Sequence, residues 1–104
     1  MDFSFEWDGE EGRLIFEWDG EKARINFKGH HVAFREAATV FGDPLALTSD
    51  DPLHSNDEER STIIGQSERG RLLRVSFTER GDSIRIISAR EAEPSERRAY
   101  ESGT

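Results

Sequence analysis

Seven arginines fall between residues 60 and 90, at positions 60, 69, 71, 74, 80, 85 and 90, against only Glu68, Glu79 and Asp82. A guanidinium is planar, stays charged at every relevant pH and donates in pairs to phosphate oxygens. A local balance of +4 on one stretch therefore suits contact with a polyanion. The same arginines also suit a solvated sheet face whose cations pair with carboxylates elsewhere, and composition alone favours that plainer use. With no Cys, disulfides and thiolate metal sites are excluded, and three His do not make a metal cage without neighbouring ligands. Neither a metal nor a cofactor is expected.

Residues 61–90 must position these arginines, and they read as three antiparallel strands. The apolar groups are Ile63 and Ile64, then Leu72, Leu73, Val75 and Phe77, then Ile84, Ile86 and Ile87. Between them Ser67-Glu68-Arg69-Gly70 and Glu79-Arg80-Gly81-Asp82 each supply the Gly that a tight turn with positive φ requires. Val75 and Phe77 alternate with Arg74, Ser76 and Thr78, which puts an apolar set on one face and a polar set on the other. Arg60, Arg85 and Arg90 belong near that polar face.

The total charge is −8, which argues against nucleic acid, but it is segregated: residues 1–59 carry −10 and residues 91–104 carry −2 around the basic centre. A local positive field survives, open to screening by salt. At 104 residues a single domain with one modest core is expected, and the apolar runs are too short for a membrane span or a signal-peptide core, so the cytoplasm is the expected location and no membrane a partner.

Taken in order, the chain opens on a near repeat, Phe5-Glu6-Trp7-Asp8-Gly9-Glu10 and Phe16-Glu17-Trp18-Asp19-Gly20-Glu21. Each copy alternates, and turn formers lie between them, so residues 1–15 enter an N-terminal hairpin whose Trp side chains pack rather than stack on bases. Asp19 is an N-cap for a short helix over 21–28 that stops at Gly29. A second helix covers 34–41 and ends at Gly42 and Pro44. Residues 45–48 form a brief strand, and 49–59, acidic and broken by Pro52, a surface loop. Pro94 starts a last helix over 94–101, and 102–104 fray. The fold class is α+β: a central antiparallel sheet with two short helices before it, a C-terminal helix and the N-terminal hairpin.

Read together, FEWDGEKARINFKGHHVAFREAATVFGDP, DDPLHSNDEER with IIGQS, GRLLRVSFTERGDSIRIISAREA and ERRAYE resemble the BrnT toxin family of bacterial toxin–antitoxin pairs. The resemblance spans residues 16–101 and several motifs in the family's order. It implies a RelE-like fold, a ribonuclease that arrests translation, and neutralisation by a BrnA-like antitoxin, through which alone DNA would be involved. Two positions depart from the family pattern. Asn26-Phe27-Lys28-Gly29-His30-His31-Val32 carries Gly29 where the family has Lys and His31 where it has Gly, a position whose backbone Gly reaches more easily. Arg74 stands where an apolar residue is usual. The extra FEWDGE copy is not expected of the family.

Metal-free RNA cleavage needs a base for the ribose 2′-hydroxyl, cations on the phosphate and an acid for the leaving oxygen. The resemblance assigns the phosphate to Arg60, Arg80 and Arg85, and proton transfer to His30 or Lys28. His30 near a helix C-terminus also fits a dipole-favoured imidazolium, Glu79 either a base or a turn carboxylate paired with Arg80, His54 a solvated loop residue and Tyr100 a packing residue. The alternative is a catalytically weak or inactive toxin-like module whose acidic first part docks a basic antitoxin. A third reading is a homodimer formed through the edge of the extra hairpin. Burial of Arg60, Arg85 and Arg90 in ion pairs would favour the binding module, and their convergence on open surface the enzyme.

Overall fold

The computed structural model describes residues 2–9, 12–50 and 60–103, with side chains from residue 14 onward. In order the chain forms β1 (Asp2–Gly9), β2 (Gly12–Asp19), α1 (Gly20–His30), α2 (Phe34–Thr39) with a 3-10 turn at Val40–Gly42, β3 (Leu47–Asp50), β4 (Arg60–Gln66), β5 (Leu72–Arg80), β6 (Ser83–Glu91) and α3 (Pro94–Ser102). The six strands make one sheet in the order β1-β2-β6-β5-β4-β3. The expected hairpins β4–β5 and β5–β6 are antiparallel, as are β1–β2 and β3–β4. The N-terminal hairpin joins this sheet through a parallel pair, in which Ile15, Phe16 and Glu17 of β2 lie opposite Ser83, Ile84 and Arg85 of β6.

One face of the sheet carries the core. Phe16 and Trp18, Ile63, Leu73, Val75 and Phe77, and Ile86 and Ala89 pack there against Val32, Phe34, Ala37, Ala38 and Val40 from α2 and its flanks. Edge-to-face ring contacts tie β2 to that layer, Trp18 to Phe34 at 6.1 Å and Phe16 to Phe41 at 5.2 Å, so Trp18 is a core residue. The Trp7 side chain lies outside what is described. In a regular strand Ile86 and Ala89 would face opposite ways, as would Arg85 and Arg90. A register shift resolves both: Phe77 pairs with Ile86 but Ser76 with Ser88, so Ile87 is an extra residue that turns Ala89 to the core and Arg90 to the polar face.

Asp19 caps α1 as expected, its Oδ1 accepting from the N–H groups of Glu21 at 2.8 Å and Lys22 at 3.3 Å. The helix runs through Gly29 and ends at His31, which adopts φ 58°, ψ 32° and donates its N–H to Phe27 O. Gly29 is therefore not the stop. Its own φ is not left-handed, while His31 takes the conformation Gly would adopt at lower cost. Asn26 shows why α1 lies where it does. Past the point where β2 stops pairing with β6, the Asn26 amide takes the place of a strand neighbour: Ala89 N–H donates to its Oδ1 at 3.1 Å, and its Nδ2 donates to Ala89 O at 2.8 Å and to Val32 O at 3.1 Å.

The brief strand lies two residues later than expected, because Asp43 holds the preceding turn by accepting from Leu45 N–H at 2.9 Å. Ser49 and Asp50 belong to that strand rather than to the acidic loop; the rest of the loop, 51–59 with Leu53 and His54, lies outside the described residues. α3 includes Ser102 and ends in an orderly way on Gly103 at φ 76°, so those two residues do not fray. No helix among the described residues is long and apolar enough to cross a membrane.

Candidate functional site

The face of the sheet opposite the core presents polar side chains in rows, because residues directly across from one another share a face. One row crosses four strands: Arg60 of β4 pairs with Thr78 of β5, Thr78 with Arg85 of β6, and Arg85 with Glu17 of β2. Strand spacing sets the Arg60 and Arg85 backbones roughly 10 Å apart, with Thr78 midway, so their long side chains reach over the same ground. Arg80 lies two residues beyond Thr78 on this face, exposed and opposite Ser83. Thr62, Ser76 and Ser88 form the next row.

Thr78 is 3% exposed, and its Oγ1 is buried without a hydrogen-bond partner. A buried unsatisfied hydroxyl costs about 1–3 kcal/mol, so the fold holds a donor between two guanidinium side chains at a loss in stability. Arg85 Nη1 stands 3.9 Å from Glu17 Oε1, an attraction too long to be a hydrogen bond, and the two side chains are 20% and 29% exposed.

At the other end of the polar face α3 uses the remaining cations. Arg90 donates to both oxygens of Glu96 at 2.8 and 2.9 Å, Arg74 Nε stands 3.2 Å from the same carboxylate, and Glu93 N–H donates to it at 2.8 Å. Burial pushes the Glu96 carboxyl up, but the bonds from Arg90 and Glu93 and the nearby positive charges outweigh it and hold it below its ordinary value. Tyr100 is more than packing: its hydroxyl donates to Asp43 at 2.7 Å, which pushes its pKa up to about 12 and ties α3 to the turn before β3. Arg90 is thus an anchor for α3, while Arg85 stands in the row beside Glu17.

The five sequence candidates fall into two groups. Arg60, Arg80 and Arg85 share the polar face near the β5–β6 turn. Lys28 and His30 are exposed in the last turn of α1. That helix end lies beside the far end of β6, since Arg71 donates to His31 O at 3.0 Å and stands 3.5 Å from Glu91. Glu91 is six residues after Arg85, roughly 20 Å along a strand. Glu79 pairs with Ile84, on the core side of the sheet, and is directed away from the arginine row. Two members of the row were not singled out by sequence reasoning. Thr78 was only one of several polar-face residues, and the alternation of Glu17 with Phe16 and Trp18 gives it a face without saying which strand lies beside it.

The profile of a family described as "Ribonuclease toxin, BrnT, of type II toxin-antitoxin system" matches residues 18–96. The crystal structure of the Brucella abortus ribonuclease toxin BrnT is similar in fold, with a TM-score of 0.54 and 22% identity over 73% of this chain and 92% of that one. No curated protein matches.

Proposed function

The chain belongs to the BrnT family of ribonuclease toxins of type II toxin–antitoxin systems, and from that premise we propose that it is a metal-independent endoribonuclease acting at the Arg60–Thr78–Arg85 row. The observation that carries the reading is that row: two cations across one buried, unsatisfied hydroxyl, on the sheet face that α1 and α2 leave uncovered. Arg60 and Arg85 grip the non-bridging oxygens of one phosphate and take up the charge that develops on them, and Arg80 holds the flanking backbone. Lys28 and His30, at the far end of β6, have no part in the reaction at that phosphate. The cleavage inhibits translation in the cytoplasm, and a BrnA-like antitoxin neutralises it.

The test is cleavage of RNA by the purified protein with a chelator present. Arg60→Ala and Arg85→Ala should each lower the rate by about 10²-fold, as loss of one preorganised donor does, without change in the melting temperature. Three arginine contacts to a single strand predict a slope of about −2 for log affinity against log salt. A second reading, an inactive module that binds an antitoxin, is favoured by the commitment of Arg74 and Arg90 to Glu96. It would be supported by absence of cleavage together with tight antitoxin binding.

A further inference from the structure

The arginine row leaves the proton of the attacking 2′-hydroxyl without a destination. Arg60, Arg80 and Arg85 are always protonated and cannot accept it. Glu79 points to the other face, and Lys28 and His30 lie some six residues of strand away. One carboxylate stands in the row itself. Glu17 is brought there by the parallel β2–β6 pair, directly beside Arg85, and is 29% exposed, so a ribose lying against the arginines can reach it. Of the other described carboxylates on this side, Asp19 caps α1, Glu96 holds Arg74 and Arg90, and Asp82 lies in the β5–β6 turn beyond Arg80 rather than in the row. Glu17 also stands just ahead of the residues that the family profile matches.

We propose that Glu17 is the catalytic base of this enzyme, an inference that rests on the arginine row being the phosphate site. Glu17 Oε takes the proton as the 2′ O–H bond breaks. The 2′ oxygen bonds to phosphorus, the P–O5′ bond breaks, the departing 5′ oxygen takes a proton from solvent water, and Glu17 then gives its proton to the hydroxide so formed and is ready for the next turnover. The products are a 2′,3′-cyclic phosphate and a 5′-hydroxyl, and no further reactant is consumed. Arg85, between Glu17 and Thr78, holds the phosphate next to the carboxylate, and the Thr78 hydroxyl gains in the bound phosphate the acceptor that the free protein lacks.

The experiment compares the full chain with Glu17→Gln and Glu17→Ala on a single-stranded RNA oligonucleotide with chelator present. Binding is measured separately on the 2′-deoxy oligonucleotide, which cannot be cleaved. Glu17→Gln should lower kcat by about 10²-fold or more, the usual contribution of a general base, with affinity retained. Added formate should restore part of the rate to Glu17→Ala in proportion to its concentration, which a merely structural carboxylate would not allow. Native kcat in Glu17→Gln, or loss in Glu17→Ala that formate does not relieve, overturns the role of Glu17. If Arg60→Ala and Arg85→Ala abolish cleavage while Glu17→Gln does not, the phosphate site stands and only this inference fails. A native protein that cleaves no RNA, or one whose rate is indifferent to Arg60 and Arg85, overturns both.

Discussion

Replacing Asn26 with Asp keeps the shape of the side chain and turns two of its three hydrogen bonds into repulsive contacts. Asn26 is 8% exposed and makes three bonds, one accepted from Ala89 N–H and two donated to the carbonyls of Ala89 and Val32. An ionised Asp keeps the first and turns the other two into contacts between a carboxylate oxygen and a carbonyl oxygen, at the positions where Nδ2 stood 2.8 and 3.1 Å away. Two lost bonds at about 1 kcal/mol each, with two buried acceptors left unsatisfied, predict a loss of at least about 3 kcal/mol. For a domain of this size that lowers the melting temperature by about 12 °C or more. The sign of the pH dependence follows. Burial beside two carbonyls favours the neutral acid, so the substituted carboxyl has a raised pKa in the folded state, and the penalty relative to the native protein shrinks as pH falls. The assay is thermal unfolding of both proteins at pH 7 and at pH 5. A variant within 1 kcal/mol of the native protein at pH 7, or one whose deficit grows on acidification, would refute the view that Asn26 substitutes for a strand at the β6 edge.

His31→Gly should stabilise the protein by roughly 0.5 kcal/mol, since relief of the left-handed backbone at φ 58° exceeds the added freedom of the unfolded chain; a lowered melting temperature would count against it. Glu36 is 5% exposed and bound by Arg71 at 2.6 and 3.0 Å and by the Ser67 hydroxyl at 2.7 Å. Its pKa is lowered first by the Arg71 bond, so it contributes stability above the ordinary carboxylate range that is lost as pH falls through the depressed folded value. Glu36→Ala should cost about 2–3 kcal/mol at pH 7, because Arg71 loses its two-bond partner, though it keeps Glu91 and His31 O, and should flatten the acid limb of the stability curve. At Gly29 an added side chain meets nothing within 4 Å, so Gly29→Lys should gain about 0.7 kcal/mol of helix stability. The same variant should leave RNA cleavage unchanged; a faster rate would bring the end of α1 back into the site.

The alternation of Arg74, Ser76 and Thr78 with Val75 and Phe77, the two Gly turns, the Asp19 cap and Pro94 were legible in the sequence, because each is a local preference of the backbone or of side-chain direction. These local features account for the three central strands, their polar face and the presence of Arg60 and Arg85 near it; Arg80, which reads as part of the Gly81 turn, instead ends β5 on that face. The unusual backbone at His31 was legible too, from a residue standing where Gly would be at ease. What the local pattern does not contain is which strand lies next to which. Glu17 and Arg85 are 68 positions apart in the chain, and only the parallel closure of β2 on β6 makes them neighbours. The extra residue at Ile87 likewise decides that Arg85 and Arg90 share a face, since strict alternation would have separated them. The amide of Asn26, which reads as one more polar residue on a short helix, runs α1 along the edge of β6 and so carries Lys28 and His30 away from the arginine row. Periodicity assigns a residue to a face, but the pairing that makes a face into a site is set by long-range contacts that no neighbouring residue records.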